Sequence, residues 1–224
     1  MNLSIDVELF SQGLFRFAPS SYTEERALGM FSAAVALADD SITSRAIHCC
    51  QALKIDDRLL YEVVLQSYLF LGFPRMLIAA QCLDAHADVK HAAGETLTAQ
   101  PGEMELWFER GEQLCRKVYA HNYELLKSRV ESFAPEVFRW MILEGYGKVL
   151  SRDGLGIVAR ETAIMTCLIM ENKPQQLHSH MQGALNVGAP KDLIRKVVLE
   201  DIGQSAGDGY RTALDVMSRL EISS

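Results

Sequence analysis

The sequence predicts an all-α protein made of two related helical repeats, and three observations carry that reading. Apolar residues recur at helical spacing over most of the chain, no segment alternates apolar and polar residues as a half-buried strand does, and one stretch of sequence returns later at a fixed offset. From about Thr23 to Ala85 the periodicity is interrupted at Asp39-Asp40, at Lys54-Ile55-Asp56 and at Gly72-Phe73-Pro74, which divides the stretch into four short helices. Between Ala87 and Gly102 the residues turn small and polar, and the segment reads as a connector. Met104 to Val130 then supports one long amphipathic helix, with Leu106, Leu114, Val118, Leu125 and Leu126 near one face. The remainder predicts helices near 135–148, 156–171, 174–187, 190–206 and 208–221. Pro174 opens one of these just after Asn172, Gly188 closes it, and Pro190 starts the next.

The returning stretch begins at Lys54-Ile55-Asp56, runs to Val63-Val64-Leu65-Gln66, and aligns with Gly188-Ala189-Pro190 through Val197-Val198-Leu199-Glu200 at an offset of 134. A turn, a helix start and an apolar stripe are shared. The expected organisation is a degenerate N-terminal repeat with its connector over residues 1–100 and a better-preserved C-terminal repeat over 101–224.

Composition excludes several classes. The net charge of −7, with no run of Lys or Arg interleaved with aromatics, lacks the electrostatic footprint of a nucleic-acid binder. The longest apolar stretch, Ala163 to Met170, is well short of the ~20 residues of a membrane helix, so no membrane partner is expected. The N-terminus has no basic region ahead of an apolar one, which points to the cytoplasm. Five cysteines at irregular spacing do not suggest a disulfide framework, and Cys49-Cys50 and Cys167 read most simply as small buried hydrophobes. His and Cys do not cluster at metal-ligand spacing, since His48 beside Cys49 lacks partners in sequence and His86 and His91 fall at or in the connector. Neither a metal nor another cofactor is expected. No phosphate loop and no Gly-x-Ser-x-Gly elbow is present, which removes the kinase, dehydrogenase and serine-hydrolase readings.

Four ordered blocks then stand out: Gly145-Tyr146-Gly147-Lys148-Val149-Leu150-Ser151-Arg152-Asp153-Gly154-Leu155, Arg160-Glu161, Gln176-Leu177-His178-Ser179-His180, and Gly183-Ala184-Leu185-Asn186-Val187-Gly188. Together they resemble the carboxymuconolactone decarboxylase family, over roughly residues 138–207, with a weaker match in the N-terminal half. The resemblance implies an all-α oligomer with a small-molecule site around the Glu and His of the C-terminal repeat. The alkylhydroperoxidase branch of that superfamily carries a Cys-x-x-Cys pair seven and four residues before the motif histidine, because a thiolate must attack and a second thiol must resolve. Lys173 and Gln176 stand there, so the dithiol chemistry is missing while the Glu-to-His spacing of 19 residues is kept.

Glu161, in the first turn of an apolar helix, suits a helix-dipole role as well as a site role, and His180 suits a satisfied core histidine as well as an acid. The resemblance favours the catalytic reading of both. His178, two residues from His180, points about 200° away round the helix and reads as a surface residue. Arg152, in the loop after Gly145-Tyr146-Gly147, either grips a substrate carboxylate or pairs locally.

Three functions compete. One is a cofactor-free lyase on a small lactone acid or related carboxylate; another is a non-catalytic oligomeric binding member, since the offset of 134 puts Ala46 opposite His180; the third is a peroxidase with atypical cysteines. For assembly, the crowding of Leu65, Tyr68, Leu69, Phe70, Leu71 and Phe73 predicts a homo-oligomer. A trimer is expected first, because single-repeat relatives resemble ring-like hexamers, and a dimer second.

Overall fold

The computed structural model describes residues 5–13, 22–87 and 102–222, and every regular element among them is helical. In chain order these are α1 (Val7–Gly13), α2 (Glu24–Leu37), α3 (Asp40–Ala52), α4 (Asp57–His86), α5 (Glu103–Tyr119), α6 (Tyr123–Glu131), α7 (Pro135–Trp140), α8 (Ile157–Met170), α9 (Pro174–Asn186), α10 (Lys191–Lys196) and α11 (Asp208–Arg219). Helix α7 runs on as a π-helix, Met141–Leu150, and α10 as a shorter one, Val197–Ile202. The expected connector falls almost wholly outside the described residues.

The predicted breaks are capping sites. Thr23 accepts the Arg26 N–H, Asp39 the Ile42 N–H at 2.9 Å, and Asp56 the Arg58 N–H at 2.9 Å, so each helix starts where a side chain satisfies a donor the helix cannot. Gly72 lies inside α4 at φ 78° and ψ 164°, conformations open to glycine, and splits it into two arms. By length and composition α4 is apolar enough to cross a membrane, with a window of mean hydropathy 1.5, although polar residues interrupt it and no long apolar run marks it in the sequence. One correction concerns Met104 to Val130, which is not one helix. Ala120, at φ 47°, ends α5, and a 3₁₀ turn over Ala120–Asn122 separates it from α6.

The helices group into two compact units, Met1–Val89 with Leu155–Ser224, and Lys90–Gly154. This grouping by contact is a different division from one by sequence similarity near residue 100. In the second unit α5 crosses the π-helix backbone to backbone: a Cβ on Gly111 would lie 2.1 Å from the Ile142 carbonyl oxygen, and one on Gly147 1.9 Å from that of Trp107. Only glycine permits that approach.

In the first unit α8 is buried almost throughout and packs along α2. Helix boundaries recur there at the offset of 134. On that offset α3 falls on α9 from end to end, the start of α4 falls on the start of α10, and α2 falls on α8 to within a residue. Backbone turns recur with them, Ala38 (φ 53°) with Asn172 (φ 50°) and Lys54 (φ 61°) with Gly188 (φ 101°). Contacts across α2 and α8 are reciprocal in the same sense: Ser32 Oγ donates to the Ala163 carbonyl at 2.7 Å, and Thr166 Oγ1 to the Gly29 carbonyl at 2.8 Å. Arg26 and Arg160, again 134 apart, each reach across to the other half, Arg26 to Glu200 and Asp201, Arg160 to Glu62 and Gln66.

Candidate functional site

Glu161 projects from α8, which is buried on every side from Ala159 to Met170. His180 projects from the buried face of α9 with Leu177, Met181 and Ala184, at the spacing of one helical stripe. Asn172 in a left-handed conformation and Pro174 in the first turn of α9 fold the two helices into a hairpin. Facing positions therefore meet. His180 Nδ1 lies 2.9 Å from Glu161 Oε2, within hydrogen-bond reach across the 19 residues between them. Glu161 is 0% and His180 6% exposed.

A carboxylate only accepts, so an ionised Glu161 takes the proton of Nδ1 and leaves Nε2 as the atom that faces chemistry. The edge of the Phe70 ring contacts the imidazole, with centroids 5.3 Å apart. The second carboxylate oxygen, Oε1, is buried and accepts no hydrogen bond among the described residues. Leaving such an acceptor unfilled costs about 1–3 kcal/mol, so the fold retains an unmet demand for a donor here.

The sequence reading gave no site role to three residues of α4, of which Phe70 touches His180 while Glu62 and Gln66 engage Arg160, next to Glu161. Glu62, Gln66 and Phe70 are spaced four apart on α4 and form one stripe. Arg160, 1% exposed, donates through Nη2 to Glu62 Oε2 at 2.8 Å and through Nη1 to Gln66 Oε1 at 3.2 Å, while Gln66 Nε2 donates to the Arg160 carbonyl at 3.2 Å. The backbone just before Glu161 is thus pinned to α4. Glu62 and Gln66, the only charged or amide side chains between Arg58 and Arg75, were the available signal.

Arg152 lies elsewhere in the chain's organisation. It follows the π-helix in a turn, its N–H donating to the Val149 carbonyl at 3.3 Å, and it belongs to the second compact unit, whereas Glu161 and His180 belong to the first. His178 is half-exposed, as a surface residue is. No disulfide joins any of the five cysteines, and burial pushes the thiols of Cys50, Cys167 and the half-buried Cys49 upward, away from the thiolate form. Among the described residues no three of His, Cys, Asp and Glu gather closely enough to hold a metal ion. A cavity of about 440 Å³ in the second unit is lined by Met104, Phe108, Arg139 and Leu143. Another of about 320 Å³ in the first unit is lined by Phe10, Asp201, Ser205 and Tyr210, and neither is lined by Glu161 or His180.

No protein-family model matches this chain, and no curated protein matches it significantly.

Proposed function

We propose that the chain is a two-repeat protein of the carboxymuconolactone decarboxylase type and acts as a cofactor-free acid–base catalyst on a small lactone acid or related carboxylate. The observation that carries this reading is the buried Glu161–His180 pair, with Glu161 Oε1 accepting no hydrogen bond among the described residues. The resemblance of the four motif blocks supports the family, and the recurrence of helix boundaries, turns and reciprocal contacts at one offset supports the duplication. When the bond from ring carbon to CO2 breaks, its electron pair delocalises toward the lactone carbonyl, and a proton must then return to carbon. His180 supplies that proton from Nε2, and Glu161 holds the imidazole by Nδ1 and balances the imidazolium charge. Arg152 as the clamp on the substrate carboxylate rests on the sequence resemblance alone. Small lactone carboxylic acids should release CO2 with the wild-type protein, and His180→Ala should lower the rate at least ~100-fold. Release that persists unchanged in His180→Ala ends the proposal.

A second reading, a non-catalytic oligomeric binding member, is favoured by one observation: the pair is enclosed, and both described cavities lie away from it. Full binding of such acids without turnover would select it. Peroxidase chemistry is disfavoured by the burial of Cys50 and Cys167. For assembly we propose a homotrimer, with a dimer as the alternative.

A further inference from the structure

The N-terminal half carries a feature that its C-terminal counterpart lacks. His48 on α3 and His86 on the last turn of α4 are 38 residues apart in sequence, both are exposed, and their ring centroids lie 4.8 Å apart with planes inclined at 70°. Two imidazoles bound to one ion at about 2.0 Å, with an angle of about 90–110° between them, hold their centroids roughly 4.5–5 Å apart. The observed separation falls in that interval. The backbones behind the rings are fixed: Gln51, one turn beyond His48, donates through Nε2 to the His86 carbonyl at 3.0 Å and to Asp57 Oδ1 at 3.2 Å. Closing the two rings on an ion therefore asks for side-chain adjustment only, which keeps the cost of ordering small.

We propose that His48 and His86 form a two-imidazole site for a late first-row divalent cation, copper, nickel or zinc, with water completing the coordination. Imidazole nitrogen suits these ions, whereas magnesium and calcium require oxygen ligands. The repeat supplies an internal control. At the offset of 134, Gln182 and Leu220 occupy the corresponding positions, and Gln182 is engaged with Asn186 at 3.0 Å, so the C-terminal half offers no second copy. One ion per chain is expected. This site is separate from the Glu161–His180 pair and stands whether or not that pair is catalytic.

The test uses the untagged full chain, freed of metal by chelator, with nickel chloride titrated by calorimetry and copper(II) followed by electron paramagnetic resonance. Wild type should bind one nickel ion per chain, and the copper spectrum should carry nitrogen hyperfine structure. His48→Ala and His86→Ala should each weaken nickel binding by at least the ~10-fold that losing even an outer-shell partner costs. His121→Ala, an exposed histidine in the other unit, should bind as wild type does. Both site residues are exposed, and circular dichroism confirms that the variants fold. A wild type without stoichiometric binding, or either single variant matching wild type, overturns the proposal.

Discussion

At the scale of single residues, the most demanding interaction is the buried ion pair that ties the two halves of the first unit. Arg26 Nε donates to Asp201 Oδ2 at 2.9 Å, both groups are nearly sealed, and the hydrogen bond to Asp201 holds the guanidinium more firmly protonated than usual. Truncating one member of such a pair leaves a buried charge uncompensated, which costs about 3–5 kcal/mol. Asp201→Ala should fall near 3 kcal/mol in urea unfolding, because Glu200 still reaches Arg26 at 3.1 Å. In the second unit, burial and the bond to Glu112 push the Tyr123 phenol up to about 12. An unfolded tyrosine titrates near pH 10, so the folded state favours the neutral phenol and that contribution is present below about pH 10. It is lost as pH rises toward 12. The tyrosinate absorbance component that appears only near the top of this window should vanish in Tyr123→Phe, and Glu112→Gln should move it down. The same scale shows what sequence can and cannot deliver about the site. Glu161 and His180 were legible because their meeting depends on one hairpin and a local spacing. Arg160 with Glu62 and Gln66 was not, because those partners are 98 and 94 residues away and meet only through tertiary packing.

At the scale of elements, legibility follows the chemistry of helix ends. Asp39, Asp56, Gly72, Gly188 and the prolines at 174 and 190 announce themselves because each solves a backbone problem with a distinctive side chain or with none. The break between α5 and α6 carries no such mark, since Ala120 is a good helix former and the apolar stripe from Val118 to Leu125 and Leu126 continues in helical phase across it. The π-helix over Met141–Leu150 was equally hidden, as one added residue per turn leaves no compositional trace. Its glycines nevertheless differ in a testable way. A Cβ at Gly147 would strike the Trp107 carbonyl oxygen at 1.9 Å, while one at Gly145 would meet nothing within 4 Å. Gly147→Ala should therefore destabilise by about 1–3 kcal/mol or more through forced separation of α5 and the π-helix. Gly145→Ala should be neutral or stabilising by up to about 1 kcal/mol, since alanine loses less backbone entropy. Thermal melts of the two variants, moving in the same direction by similar amounts, would refute the close crossing.

For the whole molecule the unresolved demand is α4. Among the described residues it is the helix long and apolar enough to span a membrane, yet only 28% of its most apolar window is buried, and Phe73 and Leu77 are 58% and 54% exposed. Such a surface calls for a cover. The break at Gly72 divides it into arms of about 14 or 15 residues, roughly 22 Å each at 1.5 Å per residue, and neither alone matches a hydrocarbon core of ~30 Å. A kinked helix of this kind suits a neighbour that follows the kink, and a second copy of the chain does so with symmetry. The kink is stiffened from within, where Tyr68 stacks on Phe73 at 4.9 Å and Arg75 is held by the Ala36 carbonyl and the Glu171 carboxylate. If two repeats per chain replace two single-repeat subunits, a closed ring of six repeats needs three chains. At 25.0 kDa per chain, light scattering after size exclusion should give about 75 kDa. Leu77→Glu, which places charge on the exposed arm and leaves the Tyr68–Phe73 stack in place, should shift that mass toward the single chain. A wild-type monomer at micromolar concentration would remove both the trimer and its dimeric alternative.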